Sequence, residues 1–229
     1  MRTLGLIGGT TWVSTVDYYR IINQLTNERL GGLTSAKILM YSLNFEEFKP
    51  PADPAEWGQR AELLIGIAQR LEHGGADCIV ICANTPHLLA DTIQKNIHIP
   101  LIHIAEATAK EVAKQNISSV GLLGTKTTME QSFFKDRLLK NDIATVIPDD
   151  ADRDFIHWSI FSEMGKNIFS SETKKKYLEI IAKLKQNGAK GIIFGCTEIP
   201  TLLKPEDCDI PTFDTTYIHA RAAVEFALS

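Results

Sequence analysis

Short runs of apolar, β-branched residues alternate along the whole chain with longer stretches in which apolar positions recur every three or four residues. Strands buried on both faces read as continuous apolar runs, and amphipathic helices read as 3.6-residue periodicity. The pattern predicts an α/β fold of parallel strands joined by crossover helices. Strands fall at 3–8 (TLGLIG), 36–42, 77–83 (DCIVICA), 100–104, 119–124 (SVGLLG), 145–147 and 191–196 (GIIFGC), with 211–214 (PTFD) as a last candidate. The clearest helices cover 14–30, 56–74 and 171–188, and the second and third close on glycine, as helix C-termini prefer. The segment 48–57 (FKPPADPAEW) carries three prolines, which predicts an irregular loop placed to cover a site.

Two internal echoes extend this picture. GLIGGTT at 5–11 resembles GLLGTKT at 121–127, an offset of 116, and GADCIVICANTP at 75–86 resembles GAKGIIFGCTEIP at 188–200, an offset of 113. Nearly equal offsets in the same order predict duplicated halves: residues 1–98, completed by 212–229, and residues 99–211. Ligands of open parallel sheets bind beyond the carboxyl ends of the strands, so the expected site is a cleft between two pseudo-symmetric halves. The second echo sets Ala83 against Cys196, Asn84 against Thr197 and Cys82 against Gly195. In a regular strand Cys82 faces away from residue 83, whereas a bulge would turn it into the cleft.

Composition narrows the function classes. At 229 residues with a formal net charge of −4, the chain has no basic excess to attract a phosphate backbone, so nucleic acid is not an expected partner. The apolar run near the start is too short for a signal-peptide core or a membrane span, which predicts a cytoplasmic protein. Four cysteines (Cys78, Cys82, Cys196 and Cys208) lack the paired spacing of a zinc site, so no metal is expected.

Chemistry concentrates at the strand ends. IGGTTWVST (7–15) combines paired glycines with hydroxyl residues ahead of a helix, which suits either a tight turn or a cradle of backbone N–H groups for a carboxylate or phosphate. No dinucleotide or P-loop fingerprint is present, so no nucleotide cofactor is expected. Cys196 lies at a strand end just before a helical segment, where free N–H groups favour a thiolate able to act as base or nucleophile. Glu198 reads as a cap for that following segment. Cys78 and Cys208 read as structural, Lys166 as a surface charge, and His87 as a hydrogen-bonded residue of a helix start.

LGLIGGTTWVSTVDYY near the start, ANTPH at 83–87 and GCTEIPTLL at 195–203 resemble the aspartate/glutamate racemase superfamily over nearly the whole chain. Glu rather than His after Cys-Thr resembles its aspartate-racemase branch. The resemblance implies a homodimer, a small amino-acid substrate, neither pyridoxal phosphate nor metal, and two thiols exchanging protons on opposite faces of the α-carbon. By resemblance Cys196 is one of those thiols, Asn84, Thr85, Thr197, Thr10, Thr11 and Lys166 bind substrate, and the first thiol belongs at position 83. Ala83 stands there, which leaves Cys82 as the nearest alternative catalytic thiol. A single-thiol enzyme that protonates a carbanion, such as the decarboxylases of the same superfamily, and a non-catalytic carboxylate binder are the competing expectations.

Overall fold

The computed structural model describes residues 1–49, 51 and 54–229. In chain order it contains β1 (Thr3–Gly8), α1 (Trp12–Leu30), β2 (Lys37–Ser42), α2 (Phe45–Phe48), α3 (Trp57–His73), β3 (Cys78–Ile81), α4 (Ala90–Gln94), β4 (Leu101–Ile102), α5 (Ile104–Lys114) and β5 (Ser119–Gly124). There follow α6 (Lys126–Glu130), α7 (Ser132–Leu139), β6 (Ala144–Val146), α8 (Asp150–Ser162), α9 (Ser171–Gln186), β7 (Ile192–Gly195), α10 (Ile199–Leu202), β8 (Thr212–Asp214) and α11 (Thr215–Leu228). The strands form two four-stranded parallel sheets, in the orders β2-β1-β3-β4 and β6-β5-β7-β8. The α/β class and the two pseudo-symmetric halves expected from the echoes are therefore present.

The chain divides into one compact unit of residues 1–104 and 219–229 and another of residues 105–218. β8 pairs with β7 in the second sheet. Residues 212–218 accordingly fall in the second unit, and only the later part of α11 returns to the first, a shorter return than the 212–229 segment expected.

In the first unit the pleat sorts β3 cleanly, as alternation in a strand requires. Ile79 and Ile81 pack with Ile7, Leu64, Ile67 and Leu71 of β1 and α3. Cys78, Val80 and Cys82 pack on the other face with Tyr18, Ile22, Ala220 and Val224 of α1 and α11. In the second unit Leu123, Ile192 and Phe194 are buried with Ile156, Tyr177 and Ile180 of α8 and α9.

The 48–57 stretch is not irregular throughout, because a helical turn ends at Phe48 and a 3-10 turn spans Pro54–Glu56. Positions 50, 52 and 53 of the expected covering loop lie outside the described residues. Helix α9 is capped by Ser170, whose hydroxyl accepts the Thr173 N–H, so its N-terminal signal sits one residue before the expected start.

Candidate functional site

Register within each sheet puts the two halves on a common frame. Gly5 pairs with Ile79 and Ile7 with Ile81 in the first sheet, while Gly121 pairs with Ile192 and Leu123 with Phe194 in the second. Counting outward along both strands sets Gly195 in the place of Cys82 and Cys196 in the place of Ala83. Gly195 has no room for a side chain, since a Cβ there would lie 2.8 Å from the Leu123 carbonyl oxygen. The halves differ in the turn after their first strand. Thr11 caps α1 three residues past Gly8, whereas Thr125 caps α6 directly after Gly124. The extra residues, Gly9 and Thr10, bring the backbone to φ +86° at Gly9, where a Cβ would meet the Leu43 carbonyl oxygen at 2.0 Å. Only glycine fits there.

At the first unit's strand end, this turn is fastened to the start of α1. Gly9 N–H donates to Thr15 Oγ1 at 2.8 Å, and Thr11 Oγ1 accepts from Ser14 N–H. The Ser14 hydroxyl lies 3.0 Å from the Cys82 carbonyl oxygen, tying the helix start to the end of β3. Thr10 is 8% exposed, and its hydroxyl has no hydrogen-bond partner among the described residues. Asn84 is buried, Thr85 half-buried, and both sit where the chain leaves β3 for a 3-10 turn.

Cys82 is not presented with them. Its N–H donates to the Ile7 carbonyl, continuing the ladder without a bulge, and its thiol is fully buried in the apolar cluster against Tyr18. Burial pushes that thiol far above the ordinary range.

Behind this strand end lies a group of buried rings. His87 Nδ1 is 2.8 Å from the Ala83 carbonyl oxygen, and a carbonyl only accepts, so Nδ1 carries the proton. His219 donates from Nε2 to the Ile102 carbonyl at 2.7 Å and accepts the Tyr18 hydroxyl at Nδ1 at 2.8 Å. The His87 ring stands edge-on to His103 and His219, with centroids 4.9 and 5.3 Å away. Burial, reinforced by these two neighbours, holds His87 well below the usual histidine range although the Ala83 and Ile102 carbonyls favour its charged form. Burial likewise brings His219 to about 4. Among the described residues no group of three His, Cys, Asp or Glu side chains is arranged to hold a metal ion.

At the second unit's strand end, Cys196 Sγ donates to Glu198 Oε2 at 2.9 Å, and Thr197 Oγ1 donates to the same oxygen at 2.7 Å. The Glu198 side chain makes no capping bond to α10; its carboxylate turns back towards the thiol, and the residue is 7% exposed. The expected cap is thus a partner of the thiol. Burial first, then the adjacent Glu198 carboxylate, raises Cys196 well above the ordinary thiol range. The backbone N–H groups of Thr197 and Glu198 act the other way and lose. The thiolate expected from the helix start is therefore replaced by a thiol that holds its proton, because α10 has only four residues while desolvation and a neighbouring anion both disfavour charge.

Lys166 lies in the 3-10 turn Met164–Lys166, exposed, and its ammonium makes no ion pair or hydrogen bond with the described residues. Met164, two residues earlier, packs in the cluster that contains Cys196.

The family model described as Asp/Glu/Hydantoin racemase matches residues 7–223. A Yersinia pestis protein described as a candidate Asp/Glu racemase is 46% identical, with a TM-score of 0.94 over 100% of both chains. An aspartate racemase homologue from Pyrococcus horikoshii OT3 is 34% identical, with a TM-score of 0.87 over 100% of both chains. The broad specificity amino-acid racemase RacX of Bacillus subtilis is 26% identical over 181 residues, covering 77% of this chain and 76% of that protein.

Proposed function

Since the chain belongs to the Asp/Glu/hydantoin racemase family, we propose that it is a cofactor-independent amino-acid racemase whose Cys196 transfers a proton at the substrate α-carbon. The observation that carries this reading is the thiol–carboxylate pair of Cys196 and Glu198, 2.9 Å apart at a strand end. Aspartate, glutamate or a broader set of amino acids is the substrate class, in keeping with an aspartate racemase homologue and a broad specificity racemase among the relatives. Thr10, Thr11, Asn84, Thr85, Thr197 and Lys166 are the proposed substrate-binding residues. The buried Thr10 hydroxyl, without a hydrogen-bond partner among the described residues and beside the N-terminus of α1, suits a carboxylate.

In the resting state Cys196 is an acid. Its S–H bond breaks as a C–H bond forms at a planar α-carbanion, and the resulting thiolate is received by the backbone N–H groups of Thr197 and Glu198. In the opposite direction the thiol proton first passes to Glu198 Oε2, forming a carboxylic acid, and the thiolate then takes the α-proton. Ala83, in the place corresponding to Cys196, has a methyl group that exchanges nothing. Abstraction on that face then rests on a weaker group, such as Thr10, Thr85 or a water they hold.

That asymmetry supports a second reading, a single-thiol enzyme that protonates a carbanion formed by decarboxylation. Each free amino acid, L and D, and a malonate-type diacid are incubated separately in heavy water and followed by proton NMR and chiral chromatography. Racemisation predicts α-deuteration with inversion. Loss of carbon dioxide from a malonate-type substrate, without amino-acid exchange, would replace it with the second reading. If neither occurs, both fail.

A further inference from the structure

The residue that shapes the Asn84 turn is neither in the strand nor in the turn's first two positions. Ala83 N–H reaches back to the Ile81 carbonyl at 2.9 Å, so the chain leaves the ladder there. Both carbonyls that flank the Asn84 backbone are then held by one residue. His87 Nδ1–H donates to the Ala83 carbonyl oxygen at 2.8 Å, and the His87 backbone N–H donates to the Asn84 carbonyl oxygen at 3.0 Å. Fixing the peptide on either side of a residue fixes its φ and ψ, and with them the direction of its Cα–Cβ bond.

The ring that does this is itself immobilised. It is 1% exposed and stands against His103 and His219, and His219 is locked by the Tyr18 hydroxyl and the Ile102 carbonyl. Three elements thus meet behind one turn: α1 through Tyr18, α11 through His219, and the residue after β4 through His103.

We infer that His87 is a positioning residue that orients the Asn84 side chain by clamping the Ala83 and Asn84 carbonyls from a fixed Nδ1–H tautomer. It touches no reacting atom. The inference rests on the proposed role of Asn84 in substrate binding, and the test separates the two. His87→Leu removes the donor and keeps the bulk, His87→Asn retains an N–H near the position of Nδ1, and Asn84→Ala serves as the reference for losing the amide. Steady-state kinetics of α-proton exchange are measured for each, alongside its thermal midpoint, and the 13Cδ2 chemical shift of His87 reports the wild-type tautomer.

The expected result is a rise in KM of about tenfold for His87→Leu, with a smaller change in kcat, parallel to Asn84→Ala and largely recovered in His87→Asn. The tautomer should read as Nδ1–H. A wild-type KM in His87→Leu where Asn84→Ala has raised it overturns the inference, as does an equal loss in His87→Asn or an Nε2–H tautomer. If Asn84→Ala leaves KM unchanged, the binding role of Asn84 fails and the inference falls with it.

Discussion

Acidification should act on this protein through its buried rings, and His219 gives the effect a size. Its pKa is lowered from 6.5 to about 4 by burial, so the unfolded chain takes up the proton first as the pH falls. A depressed histidine pKa therefore contributes no penalty above the unfolded value and an increasing one between the two. At about pH 5 the cost is RT times the logarithm of the ratio of the two binding factors, or about 2 kcal/mol for this one group. For a chain of this length that corresponds to a fall in Tm of roughly 4–8 °C. His87 adds to the slope in the same direction, since burial lowers it too.

The perturbation that isolates His219 is His219→Gln, because an amide both donates to the Ile102 carbonyl and accepts the Tyr18 hydroxyl without titrating. Urea unfolding of both proteins between about pH 7.5 and pH 4.5 is the assay. The variant should start less stable, through imperfect packing, and then lose about 2 kcal/mol less than the wild type by about pH 5. Parallel stability curves over that range would refute the argument, because they would mean that His219 binds its proton equally in both states.

Cys196→Ser should reduce α-proton exchange by about a thousandfold with the circular dichroism spectrum unchanged, since a hydroxyl is a far weaker acid; retained exchange would move the chemistry elsewhere. Glu198→Gln removes an anion that raises the Cys196 pKa, so iodoacetamide labelling of Cys196 at fixed pH should speed up while turnover falls, and slower labelling would reverse the assigned sign. Ala83→Cys should increase inversion relative to exchange, measured by chiral chromatography, because position 83 shares its register with Cys196. Cys82→Ser should leave turnover intact and lower stability by about 1–3 kcal/mol in urea, since a hydroxyl would be buried among apolar side chains; lost turnover without lost stability would restore Cys82 as a proton carrier.

Strands β1 and β5 were legible to the residue, because the apolar runs at 3–8 and 119–124 each end on a glycine. The correspondence of Ala83 with Cys196 was legible for a related reason: a repeat preserves register, and register is what sequence spacing encodes. Short elements were not legible, since α2, α4 and α6 have four or five residues and are shaped by tertiary packing rather than by periodicity. Glu198 was misread because a carboxylate two residues past a thiol suits a cap and a back-turned partner equally well in sequence. The 3.3 Å bond from Ile199 N–H to the Cys196 carbonyl shows the tight bend that brings the carboxylate back. The three-histidine group draws on positions 87, 103 and 219, too far apart for any local pattern to join.

The distribution of sulfur gives the molecule a built-in pair of reporters. Cys78 and Cys82 are fully buried and both belong to the unit of residues 1–104 and 219–229, whereas Cys196 and Cys208 belong to the unit of residues 105–218. Alkylation of the first pair requires that unit to open, while Cys208, half-buried in its loop, is available without unfolding. Peptide-resolved labelling rates against denaturant would therefore time the opening of the first unit separately from the chemistry of the second, with no engineered probe in the chain.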